Sequence, residues 1–442
     1  MVQTAERLPL FPDTTTIQND SLSIGGQDLT ALAERFGTPL YIYDRTTMDE
    51  AARRYKEALK AHYPAAGSVT YAGKAFFCTA IAEWAGQHGF QVDCTGEGEI
   101  AIALAGRLAP SGIIAHGVNK SQADLEAAAA HAGTIVVDNL TEVRRLADLL
   151  NKTRKRATAR NLPAIWLRLQ PGAAVQTHHA HTQTGQTDSK FGMDAGELLE
   201  AARLAQAAGM PVVGIHFHQG SNFRDTGPLV SAIELGLRLA KEIGLPEAWH
   251  FCPGGGWGAA YHEDELPHPD IDVYVRVVAR EVTKRCRLGG LPLPTLHIEP
   301  GRSLVARAGV AVYRVGAVKR RKHRTWVLID GGMADNPRHA LYGAKYSCLP
   351  VRGLGRGMTD TVSIAGPYCE SGDVLIDDLP LPPIREGELL AVPVSGAYQL
   401  SMASNYNGAR RPAAVWIERG KSRLIVRRET IDDLTHRQLS IM

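Results

Sequence analysis

The sequence predicts an α/β chain, a (β/α)8 TIM barrel followed by a second, β-rich domain of sandwich or barrel type. Three observations carry this. Eight short apolar runs alternate with alanine-rich amphipathic stretches between residues 69 and 299, and eight strand–helix units over about 250 residues are what a (β/α)8 barrel needs. Titratable residues and glycines recur at the ends of those runs, where active sites of that fold gather. Beyond about residue 305 the helical texture gives way to β-branched segments separated by Gly, Pro and charged turns.

Taken in order, residues 1–40 read as polar and irregular up to Leu29–Phe36, an amphipathic turn or two, and P-L-Y-I-Y-D at 39–44 reads as a strand. The eight runs are Val69–Lys74, Gln91–Thr95, Ile113–His116, Thr134–Asp138, Ala164–Leu169, Val212–His218, Trp249–Cys252 and Thr295–Glu299. Between them lie helical stretches such as Ala80–His88, Glu99–Ala105, Ser121–Ala132, Thr141–Leu150, Ala195–Ala208 and Pro228–Glu242. The division this implies is a barrel over 45–305 and a β-rich domain over 306–442, with 1–44 packed on it.

The composition is that of an ordinary globular chain, 44% hydrophobic and 21% charged over 442 residues. With 49 basic and 46 acidic residues the formal charge is +3, so no whole-molecule field argues for a nucleic-acid or membrane partner. The basic run Lys319–Arg324 falls between two strand-like segments and reads as a solvated hairpin turn. No signal-peptide core and no run of about 18 apolar residues occurs, which makes cytoplasmic residence the expectation. Six scattered cysteines without metal-type spacing suit reduced thiols.

Chemistry is concentrated at a few places. V-T-Y-A-G-K-A at 69–75 ends a strand on Lys74, whose burial would depress its pKa and leave the nucleophilic amine that Schiff-base chemistry requires. The segment alone suits a lysine that snorkels to solvent at least as well. Gly254, Gly255 and Gly256, after the seventh run, let backbone approach a phosphate, or form a plain flexible turn. In H-F-H at 216–218 the two histidines share a strand face. They suit metal ligation of the amidohydrolase type, a planar cofactor, or a core position. H-I-E-P-G-R at 297–302 puts Glu299 at a strand end, where a carboxylate can hold a pyridinium proton, and Arg302 past the turn, where it can clamp an anion or pair with Glu299. In the β-rich part, Cys369 and Glu370 share one loop, a proton donor beside a receiver of ammonium. Arg338 and Tyr342, four apart on one helical turn, can hold a carboxylate. H-H-A-H at 178–181 matches no strong metal template and reads as a polar loop.

Together these segments carry a resemblance. F-G-T-P-L-Y-I-Y-D, Y-A-G-K-A, H-G-V-N-K-S, T-G-Q-T-D-S-K-F-G, H-F-H-Q-G-S, G-G-G-W-G, E-P-G-R-S, D-G-G-M-A-D-N-P-R-H-A-L-Y-G-A, C-E-S-G-D and G-A-Y stand in one order from Leu29 to about Val415. In that order the chain resembles the fold-type III pyridoxal-phosphate decarboxylases, whose barrel is alanine-racemase-like, and among them the diaminopimelate branch. The resemblance implies pyridoxal 5'-phosphate as cofactor. Lys74 would hold it covalently, His218 would stack on its ring, and Glu299 would pair with the ring nitrogen. Ser221, Gly255, Gly256 and Tyr398 would contact the phosphate. It implies Cys369 as general acid across a homodimer interface, Arg302, Arg338, Tyr342 and Tyr398 around the substrate with the first three on its distal carboxylate, and Glu370 on its distal amine. The reaction would be decarboxylation of meso-diaminopimelate to L-lysine. Departures from the family pattern at Glu97, Trp257, Asn222 and His339 define the alternative, a paralogue acting on D-lysine, D-ornithine or another D-configured or carboxylate-bearing amine. A zinc hydrolase and a cofactor-free regulator are the rivals from other classes.

Overall fold

The structure, a computed structural model, describes residues 2–154, 163–172, 185–186 and 188–441. His178, His179 and His181, and the two threonines Thr184 and Thr187 of the T-G-Q-T motif, lie outside the described residues. The chain forms two units, one of Met1–Ala51, Ala259–Pro269 and Arg302–Met442, the other of Ala52–Gly258 and Asp270–Gly301.

Where an irregular start was expected, the first unit opens with a helix, Val2–Arg7, and an antiparallel sheet of β1 (Thr15–Gln18), β2 (Ser21–Ile24) and β3 (Gln27–Asp28). These strands are too short for an alternation signal. Tertiary burial holds them instead, since Leu22 and Ile24 are fully enclosed with Leu40, Val310 and Val415. The helix Leu29–Phe36 starts on Asp28, whose side chain accepts from the Ala31 N–H, and ends at Gly37 with φ 72°. Strand β4 (Leu40–Asp44) follows, buried throughout.

The second unit is a closed parallel barrel of β5 (Gly67–Ala72), β6 (Gln91–Thr95), β7 (Ile113–His116), β8 (Thr134–Val137), β9 (Ala164–Arg168), β10 (Val212–His216), β11 (His250–Cys252) and β12 (Thr295–Ile298), as expected. Seven of its helices are Thr79–Gln87, Gly96–Ala105, Gln122–His131, Leu140–Arg154, Ala195–Ala207, Gly227–Ile243 and Ile271–Gly289. Strand alternation explains what stands at the barrel mouth. Ile114, Val136 and Trp166 pack together inside. Two residues further along the same strands come His116, Asp138 and Arg168, so an apolar layer is capped by a titratable one. Gly214 leaves room for the Trp166 indole, which a Cβ there would meet at 2.5 Å.

The β-rich sheet runs in the order β17-β16-β14-β13-β4-β19-β20, with β18 on β13 and β15 on β18. Its strands are β13 (Gly309–Arg320), β14 (Thr325–Ile329), β15 (Leu349–Pro350), β16 (Asp360–Ala365), β17 (Val374–Leu381), β18 (Leu389–Val392), β19 (Ala413–Glu418) and β20 (Lys421–Val426). The basic run does close the β13–β14 hairpin, where Arg320 pairs with Thr325 and the Arg321 N–H reaches the Arg324 carbonyl at 2.9 Å. Among the described residues no helix is long and apolar enough to cross a membrane.

Candidate active site

Lys74 lies on a 3-10 turn, Gly73–Ala75, directly after β5. The expected burial is absent: 45% of its side chain is accessible, and its Nζ stands 3.3 Å from Oδ2 of the buried Asp93.

Glu299, just past β12, is the centre of the barrel mouth. The His216 Nε2 lies 3.0 Å from its Oε2 and the His116 Nε2 3.4 Å from its Oε1, all three residues being buried. Burial alone would push the Glu299 carboxyl up, but the two imidazoles hold it well below the usual range. Burial also lowers His216 to about 4, against the opposing pull of Glu299, so this ring is neutral. The Cys252 thiol is pushed well up by burial and by Glu299. His116 and His216 as partners of Glu299 are what sequence reasoning missed. The only signal was their position two residues beyond inward-facing Ile114 and Gly214.

The glycine loop is packed, not flexible. A Cβ on Gly255 would collide with the Glu299 carbonyl oxygen, and one on Gly256 with the Gly220 carbonyl oxygen. Gly254 and Gly256 have φ of 78° and 93°, which bulky L residues do not adopt. The Gly255 N–H reaches His218 Nδ1 at 3.3 Å, and the Phe223 N–H reaches the Gly256 carbonyl at 3.2 Å. The loop after β11 is thereby laced to the segment carrying His218 and Ser221. Burial and the Lys74 ammonium hold His218 well below its ordinary pKa. Trp257, a departure from the family pattern, stacks its ring on Tyr274 with centroids 5.3 Å apart, and its Nε1 donates to the Asp270 carbonyl. Asn222 has φ 64°, a conformation asparagine tolerates.

In the other unit, Arg302, Arg338 and Tyr398 gather round Tyr261. Arg302 donates to the Tyr261 hydroxyl and lies 4.6 Å from the Tyr398 ring centroid. Arg338 sits 4.3 Å from the Tyr261 ring and donates to the Tyr346 hydroxyl at 2.6 Å. Both arginines are buried, at 6% and 5% exposure. Among the described residues no carboxylate pairs with Arg338; its neighbours are phenols, which hold its pKa up against burial. Tyr261 and Tyr346 went unmarked in the sequence because each lies outside any motif. Tyr398 has φ 57°, a strained setting for a tyrosine. Tyr342 ends the short helix Arg338–Tyr342, half-buried.

Cys369 and Glu370 stand apart on an exposed loop. The Asn407 side chain accepts from the Cys369 N–H at 3.0 Å, and Asp373 pins the loop by accepting from the N–H groups of Met333 and Tyr368. His339 lies 3.6 Å from Asp377. Glu97 is exposed, its N–H held by Asp124.

A barrel whose mouth gathers a reachable lysine, a pinned carboxylate and a loop too tight for side chains belongs to the class of enzymes that hold a planar, phosphorylated cofactor. The comparisons agree. Residues 45–306 match the family model described as pyridoxal-dependent decarboxylase, pyridoxal binding domain. The diaminopimelate decarboxylase of Synechocystis sp. is 40% identical, over 96% of this chain and 92% of its own. That of Bacillus subtilis is also 40% identical, over 94% and 95%. The crystal structure of diaminopimelate decarboxylase from M. jannaschii in co-complex with L-lysine superposes with a TM-score of 0.88 at 30% identity, covering 97% of this chain and 98% of that one. The chain belongs to the diaminopimelate decarboxylase family of pyridoxal-phosphate-dependent decarboxylases. Its cofactor is pyridoxal phosphate, and the zinc-hydrolase reading of His216 and His218 falls away.

The residues present fit that group. The glycine loop is backbone without room for side chains, since a Cβ at Gly255 or Gly256 would strike a backbone carbonyl, and among the described residues the buried Glu299 Oε1 has no hydrogen-bond partner.

Proposed function

We propose that the protein removes the carboxylate at one end of meso-2,6-diaminopimelate and releases L-lysine and carbon dioxide, the last step of lysine biosynthesis. The observation that carries the substrate is Arg338. A guanidinium at 5% exposure with phenols and no carboxylate beside it among the described residues is a desolvated cation whose missing partner is an anion brought by the ligand. Relatives of this chain bear that activity in their names, and one was solved with L-lysine.

When bound, pyridoxal phosphate accepts the electron pair left as carbon dioxide departs. The chain does the rest. Lys74 anchors the cofactor, and Asp93 keeps its amine beside the barrel mouth. His218 lies against the ring, and Glu299 keeps a proton on the ring nitrogen. Ser221, Gly255, Gly256 and Tyr398 bind the phosphate. Arg302, Arg338 and Tyr342 take the distal carboxylate and Glu370 the distal ammonium. Cys369 returns a proton to the carbon that lost carbon dioxide. Its exposed loop is suited to serve the site of a second subunit, so the working form is a homodimer with shared sites. Residence in the cytoplasm follows from a biosynthetic role, and we assign cofactor binding to 45–305 and the β-rich domain to 1–44 with 306–442.

The test is carbon dioxide release and product analysis with purified protein and pyridoxal phosphate, offering meso-diaminopimelate beside L-lysine, L-ornithine and L-arginine. Lysine formed from meso-diaminopimelate alone supports the reading; turnover of another amine without it overturns the substrate. Mixing Lys74→Ala with Cys369→Ala protein tests the shared sites. Two inactive parents regain about a quarter of native activity if subunits exchange residues across a two-fold interface, and none if each site is self-contained.

A further inference from the structure

Glu299 is more tightly held than an anion facing one ring nitrogen requires. Its backbone N–H donates to the Gly254 carbonyl at 3.0 Å, and its carbonyl oxygen abuts Gly255, where no side chain has room. Its carboxylate is then met from two sides. His216, at the end of β10, reaches Oε2 at 3.0 Å, and His116, at the end of β7, approaches Oε1 at 3.4 Å. The two rings meet edge to face, with centroids 4.8 Å apart and an interplanar angle of 73°. Among the described residues the buried His216 Nδ1 has no hydrogen-bond partner, so the ring's one proton belongs on Nε2, where it is donated to Glu299. A neutral donor fixes the carboxylate without cancelling its charge. A lysine or arginine in the same place would form a closed ion pair and weaken the pull on any other proton.

We propose that His216 and His116 are positioning residues for the cofactor's ring nitrogen: His216 donates to Oε2 of Glu299 and His116 packs beside Oε1 without a hydrogen bond, so that the carboxylate is held as an anion in a single orientation toward that nitrogen. This rests on the reading that Glu299 faces the ring nitrogen. The three side chains also lie within 4.8 Å of one another at their ligand atoms, which would suit a cation. In the arrangement seen, however, the two Nε2 atoms lie nearest different oxygens of Glu299, and His216 is already hydrogen-bonded to it.

The experiment is 15N NMR of the holoenzyme loaded with pyridoxal phosphate labelled at the ring nitrogen, whose resonance separates protonated from neutral nitrogen directly. In the native protein the nitrogen is expected to be protonated near pH 7.5. His216→Phe keeps ring volume and removes the donor. The resonance is expected to move toward the neutral position while the lysine-bound absorbance band persists, and kcat to fall by about 10- to 100-fold, as for other groups that orient a ligand-holding side chain, with KM little changed. His216→Gln, which restores an N–H donor, recovers the native resonance. If His216→Phe does not give folded holoenzyme, His116→Leu decides, with the same direction and a smaller shift because its contact is longer.

Glu299→Gln separates the two levels of the argument. If it leaves the nitrogen protonated, the reading of Glu299 itself fails. If it deprotonates the nitrogen and neither histidine variant does, only the positioning role is overturned. One equivalent of zinc retained per chain through dialysis would also overturn it, making the trio ligands.

Discussion

Glu299 in the barrel and Arg338 in the β-rich unit are both buried charges, and the chain treats them oppositely. Glu299 is hydrogen-bonded by His216 and has His116 3.4 Å from its other oxygen, whereas Arg338 has phenol rings and one hydroxyl but no carboxylate among the described residues. Burying a charge costs several kcal/mol unless it is paired. The barrel therefore compensates its charge within the fold, while on the proposed reading the β-rich unit leaves its own for a ligand to complete. A group that serves a resident cofactor is held ready at all times. A group that selects a substrate gains discrimination by being satisfied only when the substrate is present.

The sharpest way to break this contrast is to remove each charge in turn. Glu299→Leu leaves the buried, neutral His216 donor without its acceptor and is expected to destabilise the unliganded protein by about 1–3 kcal/mol. Arg338→Leu removes an uncompensated cation, and its unliganded stability is expected to stay within about 1 kcal/mol of native, since replacing a buried charge by a well-packed apolar side chain is often neutral. The same variant is expected to lose about 10²- to 10³-fold in kcat/KM for meso-diaminopimelate, from truncating a buried charged contact. Urea unfolding and steady-state kinetics on both variants check this, and equal destabilisation would erase the distinction.

Acid acts on the barrel half of the comparison. His216 titrates near its ordinary 6.5 when unfolded and at about 4 when folded. Between those values the unfolded chain takes the proton and the folded one does not. This contribution is therefore complete above about pH 6.5 and is lost as the pH falls toward 4, with a slope of up to about 1.4 kcal/mol per pH unit. Urea midpoints from pH 7.5 to 5 should fall less steeply in His216→Phe than in the native protein. Parallel slopes would mean that His216 is not held neutral. The smallest effect is expected at His339, a departure from the family pattern. Its contact with Asp377 is half-exposed, so His339→Ala should change stability by less than about 0.5 kcal/mol and leave KM unmoved.

The barrel was legible in the sequence because eight runs of β-branched and apolar residues repeat with helices between them, and strand length alone locates the mouth. Lys74, His218, Gly255, Gly256 and Glu299 were marked as candidates by that logic, and the structure places them just beyond the ends of β5, β10, β11 and β12. Three things were hidden. The sheet of β1 to β3 has strands of two to four residues, held by contacts hundreds of positions away. The exposure of Lys74 depends on the turn Gly73–Ala75 that carries it past the strand. The pairings of Glu299 with His116 and His216, and of Arg338 with Tyr261 and Tyr346, join residues 183, 83, 77 and 8 positions apart, and only the last lies close in sequence. Tyr261 stands in a segment, Ala259–Pro269, that leaves the barrel's stretch of sequence to join the other unit, which no local pattern announces.

The most direct measurement is the ratio of kcat/KM for meso-diaminopimelate to that for D-lysine, which has the same reacting centre and differs by lacking the distal carboxylate. A site whose buried cation is completed by that group should favour meso-diaminopimelate by at least about 10³-fold, and Arg338→Leu should collapse the preference. D-lysine turned over within about tenfold of meso-diaminopimelate by the native enzyme would contradict the account, because the Arg338 pocket would then not be reading the substrate's far end.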